Sequence, residues 1–244
     1  MRHLTSTNDR GITTLTLNNP ENRNALSADL VADLAGALRR ASVDQDVRAI
    51  VLTHEGPTFS AGADLKSPAN PYAFVDLLRA LVELPKPVLA RVDGSTRAGG
   101  LGLLGACDLV LASTASTFAF TEVRIGVAPA IISLTLLPRM DARAASRYYL
   151  TGERFDAAEA ARIGLITEAT DDLEAAVAAA CEAFRKAAPQ GLAEAKRLVN
   201  ARVLEAFERD AEDLVQKSAS LFASAPAREG MTAFFERRDA AWVL

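Results

Sequence analysis

Phe59-Ser-Ala-Gly-Ala-Asp-Leu65 and Val92-Asp-Gly-Ser-Thr-Arg-Ala-Gly-Gly-Leu-Gly102 are the two stretches on which the reading of this chain turns. The first follows a β-rich run at 47–53. The second leads from another, at 88–92, into an apolar helical run. A glycine pair such as Gly99-Gly100 at a helix start leaves N–H groups without intrahelical acceptors and keeps side chains out of the way. With the helix dipole, that suits a developing negative charge. Taken alone, a glycine pair there is more often a tight-packing device. It is not a dinucleotide fingerprint, because the GxGxxG spacing and the acidic ribose ligand that follows it are missing.

Working outward, strand-like and helix-like segments alternate. Residues 11–17, 47–53, 88–92 and 108–112 read as short strands. Ser27 is a good N-cap for a helix with Leu30, Leu34, Leu38 and Ala41 on one face. A second helix covers 72–84 and is stopped by Pro85 and Pro87. This order predicts an α/β fold. Beyond Pro129 helix dominates. Asp156-Ala-Ala-Glu159 reads as a capping box, and Leu173, Ala176, Val177, Ala180, Cys181 and Phe184 form an apolar stripe. Residues 191–221 read as one long helix, and a last helix carries Met231, Phe234, Phe235 and Trp242. The division expected is an α/β core over 1–187 and a helical oligomerisation region over 188–244. So apolar a tail needs a cover, from its own core or from a neighbouring subunit. No internal sequence repeat stands out.

The 244 residues are 50% hydrophobic, enough for one sizeable core. A net charge of −4 gives no general attraction to nucleic acid or anionic membrane, so neither is an expected partner. Cys107 and Cys181, both in apolar runs, read as buried reduced thiols of a reducing compartment. No signal-peptide stretch opens the sequence, and no apolar run approaches the roughly 20 residues that span a bilayer. A cytoplasmic protein is expected.

Acid–base groups are scarce. Two histidines, His3 and His54, leave little for a Ser/His/Asp triad, and no Cys/His/carboxylate cluster has metal spacing. Glu122 stands in Phe118-Ala-Phe-Thr-Glu-Val123, a carboxylate amid apolar residues, where burial would raise its pKa towards useful values. An exposed or salt-bridged strand-end glutamate, with Arg124 close by, is the competing reading from pattern alone.

Six segments in order resemble the crotonase superfamily, the enoyl-CoA hydratase/isomerase family, over nearly the whole chain. They are Asn19-Pro-Glu-Asn-Arg-Asn-Ala-Leu26, Phe59–Leu65, Val92–Asp108, Phe118–Pro129, residues 151–165 and residues 229–242. The resemblance implies a spiral of ββα repeats with a C-terminal helical trimerisation region, assembled as a homotrimer or a dimer of trimers. It implies an acyl-CoA thioester substrate and no separate cofactor. Carried over residue by residue, the oxyanion donors are the backbone N–H groups of Ala63 and Gly99, and Glu122 is the catalytic glutamate. Arg23 approaches the CoA phosphates. Ala25, Ala61, Asp64 and Leu65 line the pantetheine and adenine path through backbone contacts. Gly100 joins the substrate site, and Arg237 supplies a basic contact from the last helix that reaches another subunit.

One departure matters. Two-glutamate hydratases carry a glutamate where this chain has Gly102, so Glu122 stands alone. A single glutamate also suits isomerases, which shuttle one proton between two carbons. The runs 122–133 and 143–151 resemble bacterial methylglutaconyl-CoA hydratase-like proteins, with glycine at the same position. They favour hydration of a 2-enoyl-CoA, branched or carboxylated. Residues 66–72, which help shape the acyl pocket, are few for the family. Double-bond isomerisation, thioester hydrolysis and non-catalytic acyl-CoA binding remain the alternatives.

Overall fold

After an opening hairpin, strands come in consecutive pairs along the chain, and the members of each pair go to different sheets. The computed structural model describes residues 3–244. β1 (Leu4–Asp9) and β2 (Ile12–Leu17) form an antiparallel hairpin, and α1 (Ala28–Val43) follows. Then come β3 (Ala49–His54), β4 (Thr58–Ser60) and α2 (Pro71–Glu83). The pattern recurs with β5 (Val88–Val92), β6 (Ser95–Arg97) and α3 (Gly99–Ala106). A third turn has β7 (Leu109–Ser113), β8 (Thr117–Ala119), a 3₁₀ turn at Glu122–Ile125 and the short α4 (Ser133–Leu136). α5 (Ala142–Thr151), β9 (Phe155–Asp156), α6 (Ala157–Arg162) and β10 (Glu168–Thr170) close the sheets. The remainder is helical: α7 (Leu173–Lys186), α8 (Pro189–Val199), α9 (Ala201–Phe222) and α10 (Ala225–Glu236).

The larger sheet has the order β1-β2-β3-β5-β7-β10, and the smaller β4-β6-β8-β9. β2, β3, β5, β7 and β10 run parallel, as do β4, β6 and β8. This is the ββα spiral, repeated in structure without a sequence repeat. Its core strands are buried on both faces, hence the near-continuous apolar runs such as Ala49-Ile-Val-Leu52. The α7 stripe covers one face of the larger sheet, against Ile12, Ala49, Val51, Leu89 and Leu111. Among the described residues no helix is long and apolar enough to cross a membrane. Cys107 and Cys181 are buried free thiols, and burial pushes Cys107 up to about 12.

Local signals fared well. Ser27 Oγ accepts from Leu30 N at 3.3 Å, and α2 ends before Pro85. The capping box is half made. Asp156 accepts from Glu159 N, but Glu159 turns its carboxylate to Arg162 and to the Tyr148 hydroxyl. The expected long helix over 191–221 breaks at Asn200. The last helix stops at Glu236, with Arg237 left-handed at its end, so Trp242 lies beyond it.

A buried polar network explains the break. Asn200 is fully buried, donating to Asp108 Oδ1 at 2.8 Å and accepting from Arg139 at 2.5 Å. Asp108 also accepts from Val88 N and pairs with Lys196 Nζ, both at 2.8 Å. Lys196 donates onward to the carbonyls of Leu81 and Lys86. Beyond this staple, α9 packs on α2 and α4 and adds Val203, Phe207 and Val215 to the main core. Burial lowers the pKa of Lys196, and the Asp108 charge beside it opposes the shift. Lys196→Met should therefore cost about 3–5 kcal/mol by leaving Asp108 an unpaired buried charge. Chemical denaturation of the variant against the parent measures this.

Candidate active site

The parallel run β4-β6-β8 sets three chain segments side by side at one edge of the smaller sheet. The last paired positions are Ser60↔Thr96 and Arg97↔Ala119. Ala63, Gly99 and Glu122 lie just past these strand ends, where parallel α/β sheets form their crevices. The two glycine stretches and the Glu122 segment, far apart in sequence, thus leave adjacent strands in the same direction. A strand of three residues shows no alternation, which is why β4, β6 and β8 do not read as strands in the sequence.

The first two segments meet closely. Gly62 has φ +93°, and a Cβ there would stand 2.8 Å from Ala98 Cβ and 3.2 Å from Gly99 N. A Cβ on Gly99 would lie 3.6 Å from Ala63 N. Ala98 has φ 47° and ψ −124°, a left-handed backbone that residues with a Cβ seldom adopt, and its N–H is held by Ala119 O at 3.1 Å. The strained turn starts α3 at Gly99. Gly100 is buried, and its missing side chain lets α3 begin against Ser60 and Thr96. Among the described residues neither the Ala63 nor the Gly99 N–H has an acceptor. Two unclaimed donors side by side can hold one oxygen that gains negative charge.

The loop at 19–26 backs this arrangement. Asn24, fully buried at φ 51°, donates to Glu55 O and Thr58 O and accepts from Asn19 N. Leu26 bridges Ala63, donating to Gly62 O at 2.8 Å. Arg23 O accepts from Ala61 N, and Leu26 O accepts from Asp64 N. The N–H groups of Ala61 and Asp64 are therefore taken, so backbone contacts from these two to a ligand fall to their carbonyls. The Asp64 carboxylate is occupied as well, accepting from Asn22, Lys66 N and Ser67 N. Ala25 is buried, Leu65 half-buried, and the Arg23 side chain exposed without an ion pair among the described residues. Arg237, exposed at the end of α10, is not gathered with these groups.

Glu122 is 8% exposed, and its Oε2 has no hydrogen-bond partner. Burial pushes it up to about 7, opposed only weakly by its own backbone N–H. The competing ion pair with Arg124 is not made: Arg124 is exposed, and Glu122 enters no ion pair among the described residues. α10 lies flush on the Glu122–Ile125 turn because Gly126 and Gly230 lack side chains. A Cβ on either would come within 2.7 Å of Pro226 or 2.5 Å of Ile125 backbone. His54, by contrast, belongs to the larger sheet. Burial and then Arg91 lower its pKa, and its Nε2 accepts from Asp93 N at 3.0 Å.

Three residues around Glu122 were not singled out in the sequence. Ile132 covers Gly102 so closely that a Cβ at 102 would stand 3.0 Å from Ile132 Cβ and nearer still to its Cγ2. Ser133 Oγ lies 2.7 Å from Pro129 O and 3.4 Å from the Tyr149 hydroxyl. The Tyr149 ring lies tilted against Phe120, with ring centroids 4.6 Å apart. Nothing in spacing or composition marks them, because the packing of α4 and α5 rather than the local sequence brings them to the site.

Known proteins share this fold. The profile of the enoyl-CoA hydratase/isomerase family matches residues 7–243. The crystal structure of an enoyl-CoA hydratase from Mycobacterium avium superposes with a TM-score of 0.93 at 51% identity, covering 99% of each chain. A carnitinyl-CoA hydratase from the same species gives 0.88 at 28% identity, over 99% of this chain and 98% of that one. The 1,2-epoxyphenylacetyl-CoA isomerase of Escherichia coli K12 is 31% identical over 98% of this chain and 97% of its own. With the spiral, the paired donors and the profile in register from one end to the other, this chain belongs to the enoyl-CoA hydratase/isomerase family of the crotonase superfamily.

Proposed function

We propose that this chain is an enoyl-CoA hydratase that adds water across the double bond of a 2-enoyl-CoA. The observation that carries the reading is a buried carboxylate with a free oxygen, Glu122, in the turn just past β8, the strand next to the one that delivers the unclaimed Gly99 N–H. The N–H groups of Ala63 and Gly99 hold the thioester oxygen. As water oxygen bonds to C3, Glu122 takes one water proton and the C2–C3 π electrons move into an enolate. Glu122 then returns that proton to C2, which yields the 3-hydroxyacyl-CoA and restores the carboxylate. A missing donor of this kind typically costs about 10²–10³ in turnover. The chemistry calls on no separate cofactor, since coenzyme A arrives as part of the substrate.

The finer proposal is a branched or carboxylated acyl chain of the methylglutaconyl-CoA type, supported by the resemblance of 122–133 and 143–151. Arg23 for the phosphates and Ala25, Ala61, Asp64, Leu65 and Gly100 along the CoA path belong to the same reading, with Arg237 reaching in from a neighbouring subunit. Double-bond isomerisation is the second reading, and the Ile132 side chain over Gly102 favours it by closing off a second carboxylate. A panel of CoA thioesters, followed both for loss of the conjugated enoyl absorbance and for double-bond migration, separates the two. Migration without hydration anywhere in the panel would overturn the first.

Glu122→Gln should lower hydration at least roughly 10²-fold while leaving the fold intact. Parental hydration should rise with pH through about 7, since only the carboxylate can take a proton from water. A carboxyl group whose folded pKa exceeds its ordinary 4.5 costs stability once pH passes that value, and the whole cost is present above about 7. Glu122→Gln should thus be more stable than the parent at pH 8, by roughly 1–3 kcal/mol, and not at pH 4. Denaturant melts at the two pH values read this out.

Gly102→Glu alone should lower the melting temperature, because Ile132 fills the space. With Ile132→Gly added, a hydratase should keep or raise its hydration rate, whereas an isomerase should lose rate to a crowded acyl chain. We also propose a homotrimer or dimer of trimers, for which Phe234, Phe235 and Trp242, 52%, 50% and 41% exposed, supply apolar surface. Light scattering at micromolar concentration should give three or six times the monomer mass. A clean monomer would remove this assignment.

A further inference from the structure

Of the four successive N–H groups at 61–64, three are spoken for. Ala61 N donates to Arg23 O at 3.0 Å, Gly62 N to Ser60 Oγ at 3.2 Å and Asp64 N to Leu26 O at 3.3 Å. Ala63 N has no acceptor among the described residues. The pairing with residues 23–26 also sets where it points. Leu26 and Ala63 form a parallel bridge in which Leu26 bonds Gly62 O and Asp64 N, the groups on either side of Ala63. Along an extended chain successive N–H groups point to opposite sides, so the Ala63 N–H faces away from the Leu26 backbone. The Leu26 side chain meanwhile reaches the second donor. A Cβ on Gly99 would stand 3.2 Å from Leu26 Cδ1 and 3.6 Å from Ala63 N. Leu26 therefore touches both donor segments.

The backbone of 23–26 would not choose this posture by itself. Arg23 and Asn24 both have φ 51°, two successive left-handed residues that carry a Cβ. The Asn24 side chain fixes the turn. Its amide donates to Glu55 O at 3.0 Å and to Thr58 O at 2.7 Å, and its Oδ1 accepts from Asn19 N at 2.8 Å. Thr58 begins β4, and Ala63 lies just past the end of that strand. Asn24 thus ties the loop to the start of β4 while Arg23 and Leu26 grip the chain leaving it. The circuit is closed. Asn24 is 0% exposed, so it acts on a ligand through the backbone around it and not by contact.

We propose that Asn24 is a positioning residue for the chemistry, whose amide sets the direction of the Ala63 N–H and its spacing from the Gly99 N–H. The inference rests on the reading of these two groups as the donors to the thioester oxygen. It gives the 19–26 loop a part in turnover besides its proposed part in holding coenzyme A.

Asn24→Gly removes all three side-chain hydrogen bonds, and glycine takes φ 51° without strain, so the loss of the amide is what the variant reads. Asn24→Ser keeps one donor and should stand between this variant and the parent. Melting temperatures set a working temperature at which every variant is folded. The direct readout is the infrared carbonyl stretch of butyryl-CoA, isotope-labelled at its thioester carbon and bound at saturation. It should lie below its value in water in the parent, because two N–H groups draw charge onto the oxygen. In Asn24→Gly the band should move back towards the value in water, and kcat should fall about 10-fold, part of what a wholly lost donor costs. Glu122→Gln should keep the band of the parent. A variant that is less stable, or binds coenzyme A less tightly, yet keeps the parental band and kcat would overturn the proposal. So would a fall in kcat with the band unmoved. A parent band that already sits at its value in water would overturn the reading of the two donors, and the role of Asn24 with it. A parent that migrates double bonds without hydrating would overturn hydration alone, and the carbonyl band would still decide the role of Asn24.

Discussion

The close approach of Gly62 to Ala98 and Gly99 is the contact on which the site depends. β4 and β6 run parallel as neighbours, so the chain after Ser60 and the chain after Arg97 leave the sheet together. Only a residue without a Cβ, at φ +93°, lets the first pass within reach of the second. The strained Ala98 then turns the second into α3 with its first N–H unclaimed. Neither backbone would choose this locally. The buried Asn24 post and the Leu26 bridge hold the loop that makes it obligatory. Strain kept in place by its surroundings leaves two donors preorganised, as the proposed oxyanion site requires.

Glu122 is the second such investment. A carboxyl group raised to about 7 is a weak point at neutral pH, and the fold surrounds it with support. α5 flanks it through Phe120 and Gly152, while α10 closes over its turn through Gly126 and Gly230. The same desolvation that costs stability gives Glu122 a proton affinity suited to taking and returning a proton near neutrality. Ile132 over Gly102 makes this a one-carboxylate site by shape as well as by composition.

The helical tail depends on a different anchor. Asp108, Lys196, Asn200 and Arg139 form a buried, mutually satisfied network that fixes where α8 ends and α9 begins. From that point α9 runs across α2 and α4, and α10 reaches the Glu122 turn. The path from a buried ion pair to the posture of the proposed catalytic glutamate is thus continuous in packing, though the two ends share no contact.

The sequence by itself determined the α/β class, because periodicity, N-caps and prolines are local signals. Ser27, Pro85 and the α7 stripe sit where they were read. Glycine segments and an apolar-flanked glutamate could also be picked out one by one, and the family resemblance ordered them. Only the tertiary structure decided that β4, β6 and β8 are neighbouring strands, since three residues carry no alternation to read. It alone broke the helix at Asn200, where partners from Asp108 and Arg139 outweigh good helical periodicity. Likewise, Ile132, Ser133 and Tyr149 stand around the site through packing of α4 and α5. A contact between elements tens of residues apart is set by the whole core, and no window of sequence contains it.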